Sequence, residues 1–241
     1  MAATDGFELL PPTDDDLAVA AAAWRSGTIR HELAEGSEFS RVLRAPSRNA
    51  ALERAKVCYP SDAMNRFSPV MASADIVPAA YAGASDKIAL WEVVLRNIRH
   101  GGTNRVPRHE TRERYLVQVK TTRKLQLLDL RRPAISSLVS PGKRPPDLTA
   151  AWPAAYETTR LWAQALYDRI PGIDGFIYES HQVPGDCIVL FQRKLREVFT
   201  PIGDAHPVDS GSLRELLKSE AKRARPDAVV DFGDLPDPPI R

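Results

Sequence analysis

Cysteine is nearly absent from this chain: Cys58 and Cys187 are the only two among 241 residues. Two thiols are too few for a disulfide scaffold. Neither stands at metal-ligand spacing, and His31, His100, His109, His181 and His206 are scattered. A reducing working environment, the cytoplasm, is the simplest expectation. Net charge is equally scarce, since 33 basic against 31 acidic residues leave only +2, which singles out no partner. Long hydrophobic runs are missing too: residues 17–24 are far too short to span a bilayer, and the acidic N-terminus has no signal-peptide character. There is no G-x-S-x-G, no H-E-x-x-H and no G-x-G-x-x-G opening a helix after a strand. Gly142-Lys143 lacks both the earlier glycine and the Ser/Thr of a phosphate-binding loop. No metal and no resident cofactor are therefore expected.

What is present suffices for a core. An apolar share of 43% over 241 residues holds one ordinary domain with extensions, or two small ones. Asp14-Asp15-Asp16 reads as the cap of a small helix, and residues 50–58 as a second short one. Residues 76–82 form a short apolar strand ending near Tyr81. Residues 115–119 and 125–130 read as strands joined by a polar turn, and 141–146 as a proline-rich loop. Residues 156–170 have helical spacing that turns Leu161, Trp162, Ala165 and Leu166 inward. Residues 175–180 and 187–191 read as strands around a Pro184-Gly185-Asp186 turn. After Phe199 the chain is expected to leave the core. It passes through a basic amphipathic helix from Leu213 to Arg225-Pro226, then into a Pro/Asp-rich tail of disordered composition.

Glu92 is the feature that most needs a reason. Residues 85–98 read as one helix, with Ser85 as N-cap and Asp86 at the positive end of the dipole. Ile88, Trp91, Leu95 and Ile98 recur at i, i+3, i+7 and i+10, and Glu92 falls on their stripe at i+4. It is the only charged side chain between Lys87 and Arg96. A carboxylate carried into an apolar interior is costly unless paired or hydrogen-bonded. Either the helix emerges at an edge and wets it, or an ion pair satisfies it, or it does chemistry.

Four blocks, in order, resemble the RES family, NAD-consuming toxins of bacterial toxin–antitoxin pairs. Arg66-Phe67-Ser68-Pro69 is similar to the family's glycine-glycine-arginine-phenylalanine-asparagine-proline turn, with Met64-Asn65 in place of the glycines and Ser68 in place of asparagine. Tyr81, followed eleven residues later by Glu92, is similar to its tyrosine-to-glutamate block, with Ile88 where a small polar residue is frequent. Gly175 through Tyr178 and Ser180 to Phe191 is similar to its terminal block. The family's early arginine falls on Arg41 or, three residues on, Arg44. The likeness spans residues 37–200, leaving 1–36 as an N-terminal helical extension and 201–241 as a C-terminal helix and tail. It implies an α+β, ADP-ribosyltransferase-like fold: two small mixed β-sheets forming a cleft, with flanking helices. It also implies cleavage of the nicotinamide–ribose bond of NAD, which is substrate and not cofactor, and a neutralising Xre-type antitoxin. An exported effector with an immunity protein is the alternative arrangement. Self-association as a homo-oligomer stays open.

Breaking that bond means stabilising a ribosyl cation as neutral nicotinamide leaves. No acid is required, because the leaving group is already cationic in the substrate. Glu92 suits the ribose, where an aligned carboxylate is worth about 3–4 kcal/mol. Arg41 and Arg66 suit the pyrophosphate, at roughly 1.5–3 kcal/mol for each charge-assisted contact. By the resemblance, Tyr81 stacks on the nicotinamide ring and Ser180 bonds its carboxamide or the adjacent ribose. Each has a plainer reading: Arg66 braces a turn, Tyr81 packs at a strand end, and Ser180 is a turn residue. Glu179 is the alternative carboxylate, since other ADP-ribosyltransferases carry theirs at a strand end. Hydrolysis, phosphorolysis and transfer to a protein are not distinguished. A nucleic-acid reading would rest on Arg105, Arg108, Arg112, Arg114, Arg131-Arg132 and the basic residues 222–225. Acidic stretches balance these and no binding motif accompanies them, so neither nucleic acid nor membrane is expected as a partner.

Overall fold

A computed structural model describes residues 9–59, 65–100, 104–149, 155–192 and 197–233, with 99 and 100 by backbone alone. The first half of the chain runs α1 (Asp14–Ser26), β1 (Arg30–Leu33), β2 (Glu38–Arg44), α2 (Arg48–Ala55), β3 (Val70–Ala72), β4 (Asp75–Val77), β5 (Ala79–Gly83), α3 (Asp86–Val93) and α4 (Arg96–His100). The second half runs β6 (Arg105–Val106), β7 (Arg114–Thr121), β8 (Leu125–Asp129), α5 (Tyr156–Arg169), β9 (Gly175–Glu179), β10 (Asp186–Phe191), β11 (Phe199–Pro207), α6 (Gly211–Ala224) and β12 (Val229–Val230).

Eight strands lie in the order β1-β8-β9-β10-β5-β2-β7-β11. The β8–β9 pair is parallel and its neighbours are antiparallel, so the sheet is mixed. Between β5 and β2 the ladder thins to one residue pair, Ser40 opposite Gly83. The next ladder, β2 on β7, runs through seven pairs. The sheet is thus two halves joined at a single rung, and these halves are the two small sheets that the resemblance implies. Strands β7 and β8, adjacent in sequence, do not pair with each other but fall in different halves.

Side chains alternate across each strand, which assigns the faces. On one face Phe176, Tyr178, Cys187, Val189 and Phe191 meet Phe67 and the apolar residues of α3 in the larger core. On the other, Phe39, Val117, Ile177 and Leu190 pack with Ala51 and Ala55 of α2 and with Phe199.

Helix α3 begins where the sequence says it should. Ser85 Oγ accepts the Ile88 N–H at 3.3 Å, and Ser40 Oγ donates to Asp86 at 2.5 Å, tying the helix start to β2 across the seam. A Cβ on Gly83 would lie 2.8 Å from the Ala89 nitrogen, so α3 can rest directly on the end of β5 only because that residue is glycine. The single helix expected over 85–98 is broken after Val93. The β-branched pair Val93-Val94 has low helix propensity, and the Val94 and Leu95 amides both turn back to the Leu90 carbonyl, at 2.8 and 3.1 Å. Gly101-Gly102, which the sequence offers as the stop for that helix, lies outside the described residues.

Neither terminal extension leaves the core. Strand β1 pairs with β8, and α1 packs against α5. Strand β11, expected beyond the core, pairs with β7 as the far edge of the second half. Helix α6 packs on α4, and β12 runs parallel to β6, so this segment too belongs to the packed fold. Within the tail expected to be disordered, residues 234–241 lie outside the described residues. On α5, Trp162 and Leu166 are buried as expected, but Leu161 is 48% exposed because the helix turns that position outward.

Three buried carboxylates hold these extensions. Asp16 accepts from Lys143 at 2.9 Å, Glu220 from Lys87 at 2.9 Å, and Asp231 from Arg105 at 2.5 Å. Burial alone would raise Asp16 and Glu220, but their hydrogen-bonded partners win and hold both below the ordinary value. The Arg105 hydrogen bond does the same for Asp231. A depressed carboxylate binds fewer protons folded than unfolded, so its contribution is present above the ordinary range and lost as pH falls through the folded value. The thermal midpoint should therefore hold between about pH 7 and 5 and fall steeply below about pH 4. Asp231→Asn should be less stable at neutral pH and lose less on acidification.

Candidate active site

The site is assembled at the end of the β9–β10 hairpin, on the larger-core face. Alternation along β9 turns Phe176, Tyr178 and then Ser180 toward α3, and sends Ile177 and Glu179 the other way. The Ser180 hydroxyl oxygen accepts the Gln182 and Val183 amides at 3.2 and 3.4 Å. Its proton is left for Glu92, whose Oε1 accepts at 2.6 Å. Helix α3 rests on this turn. Gly185 has φ +138°, and a Cβ there would come within 2.3 Å of Ile88 Cδ1. Ile88 against Gly185 thus sets the spacing that lets Ser180 reach Glu92. Glu92 itself is half-buried, at the margin of the apolar stripe and not inside it.

Arg66 comes from the turn before β3. Asn65 donates to the Ser68 carbonyl at 3.0 Å, and the Tyr81 hydroxyl receives the Phe67 amide at 3.2 Å and pairs with Ser68 Oγ at 3.1 Å. The guanidinium is enclosed: Arg66 is 7% exposed, with its Cζ 5.9 Å from the Tyr156 ring centroid and 5.8 Å from that of Tyr178. Burial would lower it, but Tyr178, Glu92 and Tyr156 raise it above the ordinary value, so it stays a cation. Its Nη1 is buried and has no hydrogen-bond partner among the described residues. An enclosed cation with an unused donor is built to receive an anionic oxygen.

Of the residues singled out in the sequence, Glu92, Ser180, Arg66 and Tyr81 come to one face. Tyr81 is there by its hydroxyl, which braces the Arg66 turn. Burial pushes that phenol up to about 12, so it is neutral and no general base. Arg41 is not brought to them, which corrects the expectation that it binds substrate. Ser40 points to α3, so its neighbour Arg41 points to the opposite face. There its Nη1 donates to the Ala55 and Val57 carbonyls at 2.6 and 3.2 Å, and the guanidinium lies over Phe199. Burial lowers it to about 10, still charged at neutral pH, and it serves to close the end of α2. The Arg44 guanidinium is exposed and bonded to the His109 carbonyl. Glu179 is exposed on the far side of the strand.

Tyr178 and Tyr156 belong to the cluster and were not picked out in the sequence as site residues. Tyr178 had a signal, since it lies two positions before Ser180 and must share its face. Tyr156 opens α5 and has no local one. Burial pushes both thiols up, Cys58 to about 12 and Cys187 further, so neither is a thiolate nucleophile. Among the described residues, no three His, Cys, Asp or Glu side chains gather as a metal site, and no helix is long and apolar enough to cross a membrane. Of the basic loop, Arg105, Arg112 and Arg114 are committed to ion pairs with Asp231, Glu113 and Glu110. A cavity of about 720 Å³ bordered by Arg123, Asp174 and Gln192 lies at the other end of the β9–β10 hairpin and is no part of this cluster.

The fold and site together define a mixed α+β protein with an Arg–Glu–Ser cluster at the mouth of a divided sheet. The RES domain family matches residues 38–210, and the chain belongs to that family. The match starts at the head of β2 and runs on through β11. Among solved structures, a chain of the crystal structure of the M. tuberculosis MbcT–MbcA toxin–antitoxin complex shares the fold, with a TM-score of 0.55 and 16% identity. That alignment covers 87% of this chain and 98% of the other. No curated protein matches the sequence significantly.

Proposed function

We propose that this protein is a toxin that degrades NAD by cleaving its nicotinamide–ribose bond. The observation that carries the reading is the 2.6 Å hydrogen bond from Ser180 to Glu92, beside a buried Arg66 with an unused donor. Arg66 takes a pyrophosphate oxygen on Nη1. Ser180 occupies one oxygen of Glu92 and aims the carboxylate at the ribose. As the bond from the anomeric carbon to nitrogen breaks, its electron pair leaves with nicotinamide, which departs neutral. Positive charge grows on the ribosyl carbon, and Glu92 stabilises it. Water adds to that carbon and gives its proton to solvent, or inorganic phosphate adds in its place. Tyr156 and Tyr178 wall the Arg66 side against water, which strengthens both electrostatic contacts.

Such an activity consumes a cofactor every cell needs, so it calls for a neutralising partner. Membership in the RES family and a fold shared with a chain of a toxin–antitoxin complex support an antitoxin as that partner. Our reading takes it to be of the helical Xre type and to act in the cytoplasm. The test is the purified protein with NAD, in phosphate and in phosphate-free buffer, following nicotinamide and the sugar product. Release in both buffers means hydrolysis. Release that needs phosphate means phosphorolysis. ADP-ribose found on an added protein means transfer, and no release under any condition sinks the reading.

A further inference from the structure

We infer that α6, which begins just after the family-matched segment ends, is part of the active-site scaffold, and that its Glu220 is a positioning residue for Glu92. The inference rests on the NAD reading above.

Helix α3 is eight residues long, too short to hold its own orientation, and Glu92 is its penultimate residue, at the unfavourable end of the dipole. Something outside must fix it. Its N-terminus is held by Ser85 and by Ser40, and its Ile88 edge rests on Gly185. The side away from these contacts needs its own hold against rolling. Lys87 and Trp91, one turn apart on one side of α3, both end on Oε2 of Glu220, at 2.9 and 3.1 Å. The other oxygen of Glu220 takes Arg223 at 2.8 Å, so a carboxylate only 5% exposed is fully engaged. Trp91 is itself 1% exposed, so the contact is shielded from water.

Glu92 follows Trp91 and lies about 100° further round the helix. With side-chain tips about 5–6 Å from the axis, a roll of about 10° moves its carboxylate by about 1 Å. Misplacement on that scale costs up to about 100-fold in rate. A contact on the neighbouring helix therefore reaches the chemistry through a single rigid rotation.

The experiment compares wild type with Glu220→Ala, Glu220→Gln and Lys222→Ala, an exposed position of the same helix. It reads kcat and KM for nicotinamide release, the thermal midpoint, and the Trp91 indole N–H resonance. Glu220→Ala is expected to shift that resonance and lower kcat by about 10- to 100-fold, with KM for NAD within about twofold. Glu220→Gln keeps an acceptor for the indole and should fall in between, and it decides the question if the alanine variant does not fold. Lys222→Ala should match wild type. A lowered midpoint with unchanged kcat in the folded Glu220 variants would make Glu220 merely structural and overturn the inference alone. An inactive wild type overturns the NAD reading and the inference with it.

Discussion

Replacing Glu92 by glutamine is expected to cut kcat for nicotinamide release by about 10²- to 10³-fold and leave KM nearly unchanged. The substitution keeps the shape and keeps an oxygen to accept the Ser180 hydrogen bond, so the turn and the helix stay in register. What it removes is the negative charge. That charge matters when the ribosyl carbon becomes positive, a condition of the transition state and not of bound NAD, so the loss falls on kcat. A preorganised group of this kind is worth about 3–4 kcal/mol, and each 1.36 kcal/mol is about a factor of ten. The thermal midpoint should hold or rise, because a neutral amide is cheaper to half-bury than a carboxylate. Steady-state kinetics at saturating NAD is the measurement. A glutamine variant as fast as wild type would make Glu92 a structural hydrogen-bond acceptor and no more.

Arg66→Met should do the opposite, raising KM for NAD by about 10- to 100-fold with a smaller change in kcat. A guanidinium with a buried, unpartnered Nη1 contributes binding energy to an anion in ground and transition state alike. At roughly 1.5–3 kcal/mol for a charge-assisted contact, the loss is one to two decades of affinity. Isothermal titration with ADP-ribose reads that term without any turnover. Arg41→Met is the matching control. It strips the donor from the Ala55 and Val57 carbonyls on the other side of the sheet, so it should lower the thermal midpoint by several degrees while KM stays put. A KM that rises with Arg41→Met and not with Arg66→Met would reverse the assignment.

The local parts of this architecture were legible because short-range physics writes them. The Ser85 cap, the 184–186 turn and the strand over Tyr81 all follow from neighbours in sequence. Glu92 stood out because a lone charge on an apolar stripe has a cost, and the structure shows how that cost is met, by half-exposure and by Ser180. The Arg41 placement failed for a reason that sequence can state but not resolve. Arg41 and Arg44 fall on opposite faces of β2, and only the strand's partners decide which face meets α3. The break after Val93 is invisible to apolar spacing, which continues through Ile98, whereas the i to i−4 hydrogen-bond ladder is interrupted at Leu95, whose amide reaches back to Leu90. Tyr156 and Glu220 were out of reach altogether, since each meets its site partner across long stretches of chain.

Strand β1 has a role that concerns handling the protein more than its chemistry. It lies upstream of the family-matched segment, yet it covers the outer hydrogen-bonding edge of β8, a strand rich in leucine: Leu125, Leu127 and Leu128. Its own outward residues, Arg30, His31 and Glu32, give that border a charged and wettable hem, secured by Lys124 to Glu32 at 2.5 Å. Trimmed to residues 38–210, the protein would present a bare leucine ladder to any other copy in the tube, the kind of border along which chains stack into insoluble aggregate. The residues ahead of the matched segment act as its guard against self-templating, and a soluble preparation has to keep them.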